Sequence, residues 1–311
     1  MEKTYVTFKR FILLILVLSA LSIVFGAFSL VHYYDSDTIS IQFKNVIPIF
    51  SIVFAGLTVI AFVVLTIKTP NLHIKRLKRD SGFSKFAAAL AAALVTALFL
   101  FDFIRFISPS SSLMTIKIIR LPVSIPFIVY FVLELIPSKF KRKRISIPDW
   151  LPTLCSICAV AWCVIGALSI YFWSALPITN FFKISHMLYY ILGALFFLSD
   201  FAFNHLGQGH RLYIFTTCSF FALVAIFTGS TAIGKFTGLL PNMGISQFEL
   251  VTALSLGVFA LSKLIAIPYT LKYVMKKEGR SGHHHHHHSR TSKQKADSGV
   301  AKSSIPTDID I

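Results

Sequence analysis

Four ionisable residues flank a short serine-rich segment that joins two apolar stretches of the sequence. Asp102 and Arg105 close the first stretch, and Lys117 and Arg120 open the second, on either side of 108–112. Within each pair the residues stand three positions apart, so each pair shares one face of a helix. Three cations beside one carboxylate favour an anion or lipid-phosphate site, because a guanidinium offers a bidentate fork to such groups.

A structural role is the alternative for the same residues. Asp102 could form a salt bridge to Lys117 or Arg120 that holds two helices together, while the other cations extend outward to water. Pro122 and Pro126 follow directly in the second stretch. Each removes a helical hydrogen bond, and the freed carbonyl oxygens could line a cavity. At the level of sequence both interpretations stay open.

A second candidate site lies deeper in the apolar sequence. A charge inside such a stretch costs about 2.5–3.5 kcal/mol on insertion scales, so it is a functional candidate by default. Counting along the helices places Asp200 and Lys263 roughly 21–24 Å from the same end. We therefore predict an Asp200–Lys263 ion pair, which acts either as a coupling site for protons or substrate or as a packing contact. Glu134 is predicted to lie at the interface, within reach of Lys139.

Eight apolar stretches must position these residues. The chain of 311 residues is 55% hydrophobic and 14% charged, whereas soluble domains carry about 25% charged residues. A bilayer core requires about 20 apolar residues per helix, and the alternation typical of a barrel strand is absent. The sequence predicts an all-α membrane protein with eight transmembrane helices. They are expected near 9–33, 44–67, 85–107, 113–137, 151–174, 184–204, 211–235 and 249–274.

The charge distribution predicts how these helices are oriented. Basic residues near the ends of membrane helices stay on the cytoplasmic side, so both termini are predicted to be cytoplasmic, in a plasma membrane. The net charge of +17 then indicates contact with anionic phospholipid head groups, about 1 kcal/mol for each cation, and not with nucleic acid. The basic residues on which this predicted orientation is based are Lys3, Lys9 and Arg10, then Lys68, Lys75, Arg76, Lys78, Arg79 and Lys85, then Lys139, Lys141, Arg142, Lys143 and Arg144, then Lys272, Lys276, Lys277 and Arg280.

Two regions are predicted along the chain. Residues 1–275 form the eight-helix domain, in which Gly-Ala-Phe-Ser at 26–29 and Gly-Ala-Leu-Ser at 166–169 suggest a four-plus-four repeat of parallel halves. Residues 276–311 are too polar to build a core and are predicted to be a disordered cytoplasmic tail. The histidine run His283–His288 is either a purification tag or a native tract, and no function is assigned to it.

The sequence lacks the familiar signatures of catalysis. It contains no zinc-protease, nucleophile-elbow or phosphate-loop motif, so an enzyme is not expected, and no cofactor or metal is indicated. Cys155 and Cys158 match a two-residue spacing, but the second pair that a zinc site requires is missing. We interpret both cysteines as small buried apolar residues.

Three segments carry a resemblance to known sequences. They are Ile-Tyr-Phe-Trp at 170–173, Leu-Phe-Phe-Leu-Ser-Asp-Phe-Ala-Phe at 195–203 and Gly-His-Arg-Leu-Tyr at 209–213. This pattern resembles a group of uncharacterised multi-span membrane proteins of anaerobic Gram-positive bacteria. The resemblance implies an acidic residue at the position of Asp200 and a bacterial plasma membrane as the location. It implies no activity.

Two functions from different classes follow from these features. One is a transporter or binder of a small or lipid-like anionic ligand, with the four outer residues at its entrance and Asp200 with Lys263 acting near the midplane. The other is a non-catalytic scaffold or regulatory subunit of a membrane complex, in which the charges hold helices together. A water-filled cavity that reaches Lys263 favours the first, and a closed bundle with apolar outer grooves favours the second.

Overall fold

The structure of this chain is a computed structural model. It describes the backbone of residues 2–35, 40–41, 46–69, 82–108, 115–136, 148, 150–172, 181–238 and 246–288. Contacts divide the chain into Met1–Leu271 and Lys272–Ile311, and the candidate sites all lie in the first unit. The basic connections 70–81 and 137–147 lie outside the described residues, so the lipid contacts expected there stay predictions.

Long helices make up almost all of the described backbone. Helix α6 continues through a π-helical turn, Ala202–Leu206, and a second π-helical turn, Val224–Thr228, joins α7 to α8. The short strands β1 (Tyr34–Asp35) and β2 (Ser40–Ile41) pair antiparallel. The helices are α1 (Glu2–Tyr33), α2 (Val46–Lys68), α3 (Gly82–Ile107), α4 (Thr115–Leu135), α5 (Trp150–Tyr171), α6 (Phe181–Phe201), α7 (His210–Leu223), α8 (Gly229–Phe236) and α9 (Gln247–His288).

Eight helical segments of the described chain are long and apolar enough to span a membrane. Each coincides with one predicted helix, and most ends agree within a few residues, so the predicted all-α architecture is confirmed at this level. The agreement has a simple cause, since a bilayer fixes the length of each apolar run. The segments are Val6–His32, Val46–Lys68, Gly82–Ile107, Ile116–Leu135, Trp150–Tyr171, Lys183–Leu206, His210–Phe236 and Gln247–Thr270. The four-plus-four repeat stays a prediction.

The C-terminal end differs most from expectation. The last predicted helix ends at 274 and the predicted disordered tail begins at 276, but the backbone of α9 continues as a helix to His288. Once a helix is nucleated, each further residue adds a hydrogen bond, so α9 extends into the polar sequence. Residues 289–311 lie outside the described residues.

The last two spans form the centre of the bundle. In their most apolar windows, 78% of His210–Phe236 and 72% of Gln247–Thr270 is buried, against 28% of Val6–His32 and 22% of Val46–Lys68. A helix that is apolar all round and enclosed by other helices is a core helix. The two charged residues between Gln247 and Thr270, Glu249 and Lys263, are accordingly buried among protein side chains.

An aromatic layer fills the bundle between α4, α5, α6 and α9. It consists of Phe127 and Phe131 from α4, Trp162 from α5, Phe197 from α6 and Phe259 from α9. Ring centroids lie 4.9 Å apart for Phe127 and Trp162, 5.2 Å for Phe127 and Phe197, and 5.1 Å for Phe131 and Phe259. These side chains are at most 2% exposed.

A glycine allows α5 and α6 to approach each other closely. An ideal Cβ at Gly166 would overlap the ring of Tyr190, which is buried in the adjacent helix. At Gly56 in α2, by contrast, a Cβ meets nothing within 4 Å. The two glycines thus provide a matched pair for testing the packing of α5 on α6.

We expect Gly166→Ala to lower the thermal unfolding temperature in detergent and Gly56→Ala to leave it unchanged or raise it. Overpacking costs about 1–3 kcal/mol, which exceeds the gain of about 1 kcal/mol in helix propensity that alanine brings. At Gly56 only the gain applies. Unfolding of both variants, followed by intrinsic fluorescence in one detergent, measures the difference. Equal shifts would contradict the close contact at Gly166.

Candidate functional site

Two buried groups of charged side chains lie about four helical turns apart along α4 and α9. We name them by the predicted orientation of the bundle. The outer cluster lies where α3 ends and α9 begins, and consists of Asp102, Lys117, Arg120, Tyr190 and Glu249. The inner cluster lies toward the other end of the same helices, and consists of Tyr130, Glu134, Asp200, Asn204 and Lys263. Helix α6 contributes Tyr190 to the first cluster and Asp200 to the second.

Arg120 is the centre of the outer cluster. Its Nη2 lies 2.6 Å from Oδ2 of Asp102 and 3.2 Å from Oε1 of Glu249. Its Nη1 donates to the hydroxyl oxygen of Tyr190 at 3.4 Å, and the guanidinium carbon lies 5.2 Å from the ring centroid of Trp162. The Arg120 side chain is 2% exposed. Two carboxylates and two aromatic side chains therefore surround a buried cation.

Glu249 is fixed in this cluster by the start of its own helix. The backbone N–H of Ser246 donates to Oε2 of Glu249, and the backbone N–H of Glu249 donates to Oγ of Ser246, both at 3.1 Å. This reciprocal arrangement is a capping box, which stabilises a helix N-terminus. The other oxygen, Oε1, accepts from Nζ of Lys117 at 3.1 Å. One glutamate thus begins α9 and holds two cations of α4.

The structure brings together three of the four residues predicted for the outer site. Arg120 takes Asp102 as its partner, and Lys117 takes Glu249, whose participation the sequence interpretation missed. Arg105 is exposed and is not a member of this buried group, and its guanidinium carbon lies 5.4 Å from the ring centroid of Phe101. The sequence predicted three cations beside one carboxylate at this site. Within the five residues of the outer cluster, two cations face two carboxylates instead, so the predicted surplus of positive charge is wrong for the cluster.

Lys263 is the centre of the inner cluster. Its Nζ lies 2.9 Å from Oε2 of Glu134 and 3.6 Å from Oδ1 of Asp200. The side chains of all three residues are at most 7% exposed. The ammonium nitrogen also lies 4.9 Å from the ring centroid of Phe259. The cluster therefore adjoins the aromatic layer on its inner side.

Asp200 is held mainly by neutral donors. The hydroxyl of Tyr130 donates to Oδ2 at 2.6 Å, and Nδ2 of Asn204 donates to Oδ1 at 2.8 Å. Lys263 makes its hydrogen bond to Glu134, and its distance of 3.6 Å from Asp200 exceeds that of a hydrogen bond. One ammonium group is thus shared unequally between two carboxylates.

The predicted neighbours Asp200 and Lys263 do lie together, but Glu134 is placed differently from its expected interfacial position. It is buried and contacts Lys263 across the bundle, and Lys139 lies outside the described residues. Counting residues gives the depth of a side chain but not the direction in which it points around the helix. Glu134 faces α9, and this direction could not be read from its depth.

The charged residues of the two clusters have the same spacing along α4 and along α9, with the signs of their charges reversed. Fourteen positions separate Arg120 from Glu134 in α4, and fourteen separate Glu249 from Lys263 in α9. That spacing is nearly four turns, a rise of about 21 Å. A cation of α4 meets a carboxylate of α9 at one end, and a carboxylate of α4 meets a cation of α9 at the other. This regularity was available in the sequence and identifies Glu249 and Glu134 as partners.

The chemistry available to these clusters is ionic. Among the described residues, no three side chains of histidine, cysteine, aspartate or glutamate gather in the way a transition-metal site requires. The arrangement can bind, exchange or release charged groups at either end of the central helices. No protein-family model, curated protein or solved structure matches this chain.

Proposed function

We propose that this chain is a multi-pass transport protein of a bacterial plasma membrane, with both termini in the cytoplasm. Its ligand is a small or lipid-like anion. One observation carries the proposal: two buried ionic clusters on the same three helices, separated by the aromatic layer. Transport by alternating access requires a closure at each end of the central helices, and each cluster supplies one.

The number of buried charges supports transport over simple helix packing. Burying an ion costs several kcal/mol, and its attraction to a partner repays this cost only when the geometry is good. One pair would suffice to fix α4 against α9, yet the chain buries charges at two separate levels along both helices. Ion pairs that separate and re-form are suited to a closure. Each charged side chain would have a partner both when the cluster is closed and when it is open.

The outer cluster provides the groups that recognise the ligand. Arg120 and Lys117 each bind a carboxylate of the protein in this closed state. A carboxylate or phosphate of the ligand has the same charge and hydrogen-bonding atoms, so it can take the place of Asp102 or Glu249. Arg105 stands exposed at the same end, where it attracts anions toward the cluster.

A second function has its own support. The outer surface between α1 and α9 carries an apolar groove with a volume of about 300 Å³, and the described interior at the aromatic layer is closely packed. Both features favour a scaffold or regulatory subunit whose charges only hold helices together. The groove is lined by Lys9, Ile12, Leu13, Leu16, Ile265, Pro268 and Tyr269.

Thiol labelling distinguishes the two functions. In a chain without its four native cysteines, we would introduce Ser124→Cys below the outer cluster or Ser262→Cys beside the inner cluster, both buried and nearly isosteric. Ser110→Cys, in the connection predicted to be external, reports that the reagent is active. Intact cells are then treated with a membrane-impermeant maleimide, with and without Glu249→Gln.

We expect the thiol at position 124 to react several-fold faster when Glu249→Gln weakens the outer cluster, while the thiol at position 262 stays protected. That pattern would mean that the outer end opens by itself and the inner end remains closed. If position 110 reacts and position 124 never does, in either background, the transport proposal is wrong and the scaffold is favoured. If position 124 does react faster in Glu249→Gln, uptake of anionic solutes into proteoliposomes is the next test.

A further inference from the structure

We infer that the inner cluster is a binding site for a small alkali metal cation, and that Lys263 competes with this cation for Asp200. The inference deepens the proposed transport function, because it names the ion whose binding is coupled to opening. It is argued from the five side chains of the cluster and can be tested on the purified protein without any transport assay.

The first observation is an amide oxygen that lacks a partner. Asn204 is 2% exposed, and its Nδ2 donates to Asp200, so the amide group faces the cluster. Its Oδ1 accepts no hydrogen bond among the described residues. A buried polar atom without a partner costs about 1–3 kcal/mol. A bound cation beside this amide would supply the missing interaction.

The second observation is the set of atoms that face Asp200. The hydroxyl of Tyr130 and the amide of Asn204 both donate to it now, but each group also carries an oxygen that can accept. Rotation of the hydroxyl and of the amide turns these oxygens toward a cation. Together with the carboxylate they form an all-oxygen set, which is the kind of site that hard cations prefer. The set contains one formal negative charge, which suits a monovalent ion.

The third observation is the position of the ammonium group. Nζ of Lys263 bonds Glu134 at 2.9 Å and stands at 3.6 Å from Asp200. It is therefore already bonded to a second carboxylate, and Asp200 is the carboxylate that a further cation can approach. When an alkali cation binds Asp200, Lys263 pairs with Glu134, and two cations then face two carboxylates. The exchange requires small side-chain movements within the cluster.

The site also lies where helix α6 changes its winding. Asn204 belongs to the π-helical turn Ala202–Leu206, which follows Asp200 directly. Such turns inside long helices are frequently found at functional sites. A cation held between Asp200 and Asn204 would bridge the regular helix and this turn. Binding would therefore alter the inner end of α6, which is one of the three helices that the proposed closure depends on.

The experiment is a thermal-shift titration of the full purified chain in detergent with sodium, lithium, potassium or choline chloride at constant ionic strength. The variants are Asp200→Asn, which keeps shape and removes the charge, and Lys263→Met, which removes the competitor. Ser199→Ala is the matched control, because Ser199 is buried beside Asp200 but bonds Thr216 instead of the cluster. Intrinsic tryptophan fluorescence, to which Trp162 of the neighbouring aromatic layer contributes together with Trp150 and Trp173, provides a second readout.

We expect at least one alkali cation to raise the unfolding temperature by several degrees over choline. The shift should be absent in Asp200→Asn, retained in Ser199→Ala, and half-saturated at a cation concentration at least tenfold lower in Lys263→Met. Equal behaviour in all salts, or a shift that survives Asp200→Asn, would overturn the inference. Loss of the cation effect would leave the outer cluster and the labelling results untouched, so failure here is distinguishable from failure of the transport proposal.

Discussion

Arg120→Met should destabilise the bundle by about 3–5 kcal/mol, since breaking a buried ion pair leaves the partner charge uncompensated. The variant removes the cation that contacts Asp102 and Glu249. Glu249 retains Lys117 at 3.1 Å, whereas Asp102 loses the ion pair that the structure gives it. Most of the loss is therefore expected to arise at Asp102.

Two further variants isolate that cause. The double variant Asp102→Asn/Arg120→Met removes both charges, so it should recover a large part of the lost free energy of unfolding. Arg105→Met changes an exposed arginine at the end of α3 and should stay within about 0.5 kcal/mol of the parent chain. Unfolding in mixed micelles of increasing denaturing detergent measures all three. A loss for Arg120→Met no larger than that for Arg105→Met would disprove the central role of Arg120.

Lys263→Met should produce the second large effect, also about 3–5 kcal/mol, when no alkali cation is present. The variant leaves Glu134 and Asp200 without the ammonium group that lies between them. Sodium should restore more of this loss than choline, because the proposed cation site is then free of its competitor. The measurement is the same micelle unfolding experiment, carried out in each salt.

The companion variants again separate charge from packing. Glu134→Gln/Lys263→Met removes the closest pair together and should be clearly more stable than Lys263→Met alone. Lys9→Met, at an exposed lysine of α1, is the matched control for the loss of one lysine. If the double variant is no more stable than the single one, Lys263 contributes through packing against Phe259 and not through its charge.

The helical architecture of this chain could be predicted because the length and apolar composition of its segments indicate it. A helix that crosses the hydrocarbon core needs a minimum apolar length, so the eight stretches were visible in composition alone. The end of α9 was misplaced because lipid thickness limits where a span ends and not where the helix ends. Hydrogen bonding along the backbone continued into polar sequence as far as His288.

The sequence predicted how far along their helices the candidate site residues lie, but not in which direction around the helix their side chains point. Asp200 and Lys263 were matched by counting residues from the same end, and the structure places them 3.6 Å apart. Glu134 was assigned to the interface because its rotation around α4 cannot be deduced from hydropathy. Glu249 was taken only as the first residue of the last predicted helix, 249–274, and no partner was assigned to it. Its equal spacing to Lys263 was the available signal.

The reversed charges of α9 have an electrical consequence. Between Gln247 and Thr270 this helix carries one carboxylate, Glu249, and one ammonium group, Lys263, so its net charge is zero. Moving one elementary charge through the membrane potential involves about 2.3 kcal/mol per 100 mV. Displacement of the segment Gln247–Thr270 as a rigid body along the membrane normal would therefore transfer no net charge. In the proposed transport cycle, any voltage dependence would then arise from charges outside this segment, among them those of the ligand and the proposed cation.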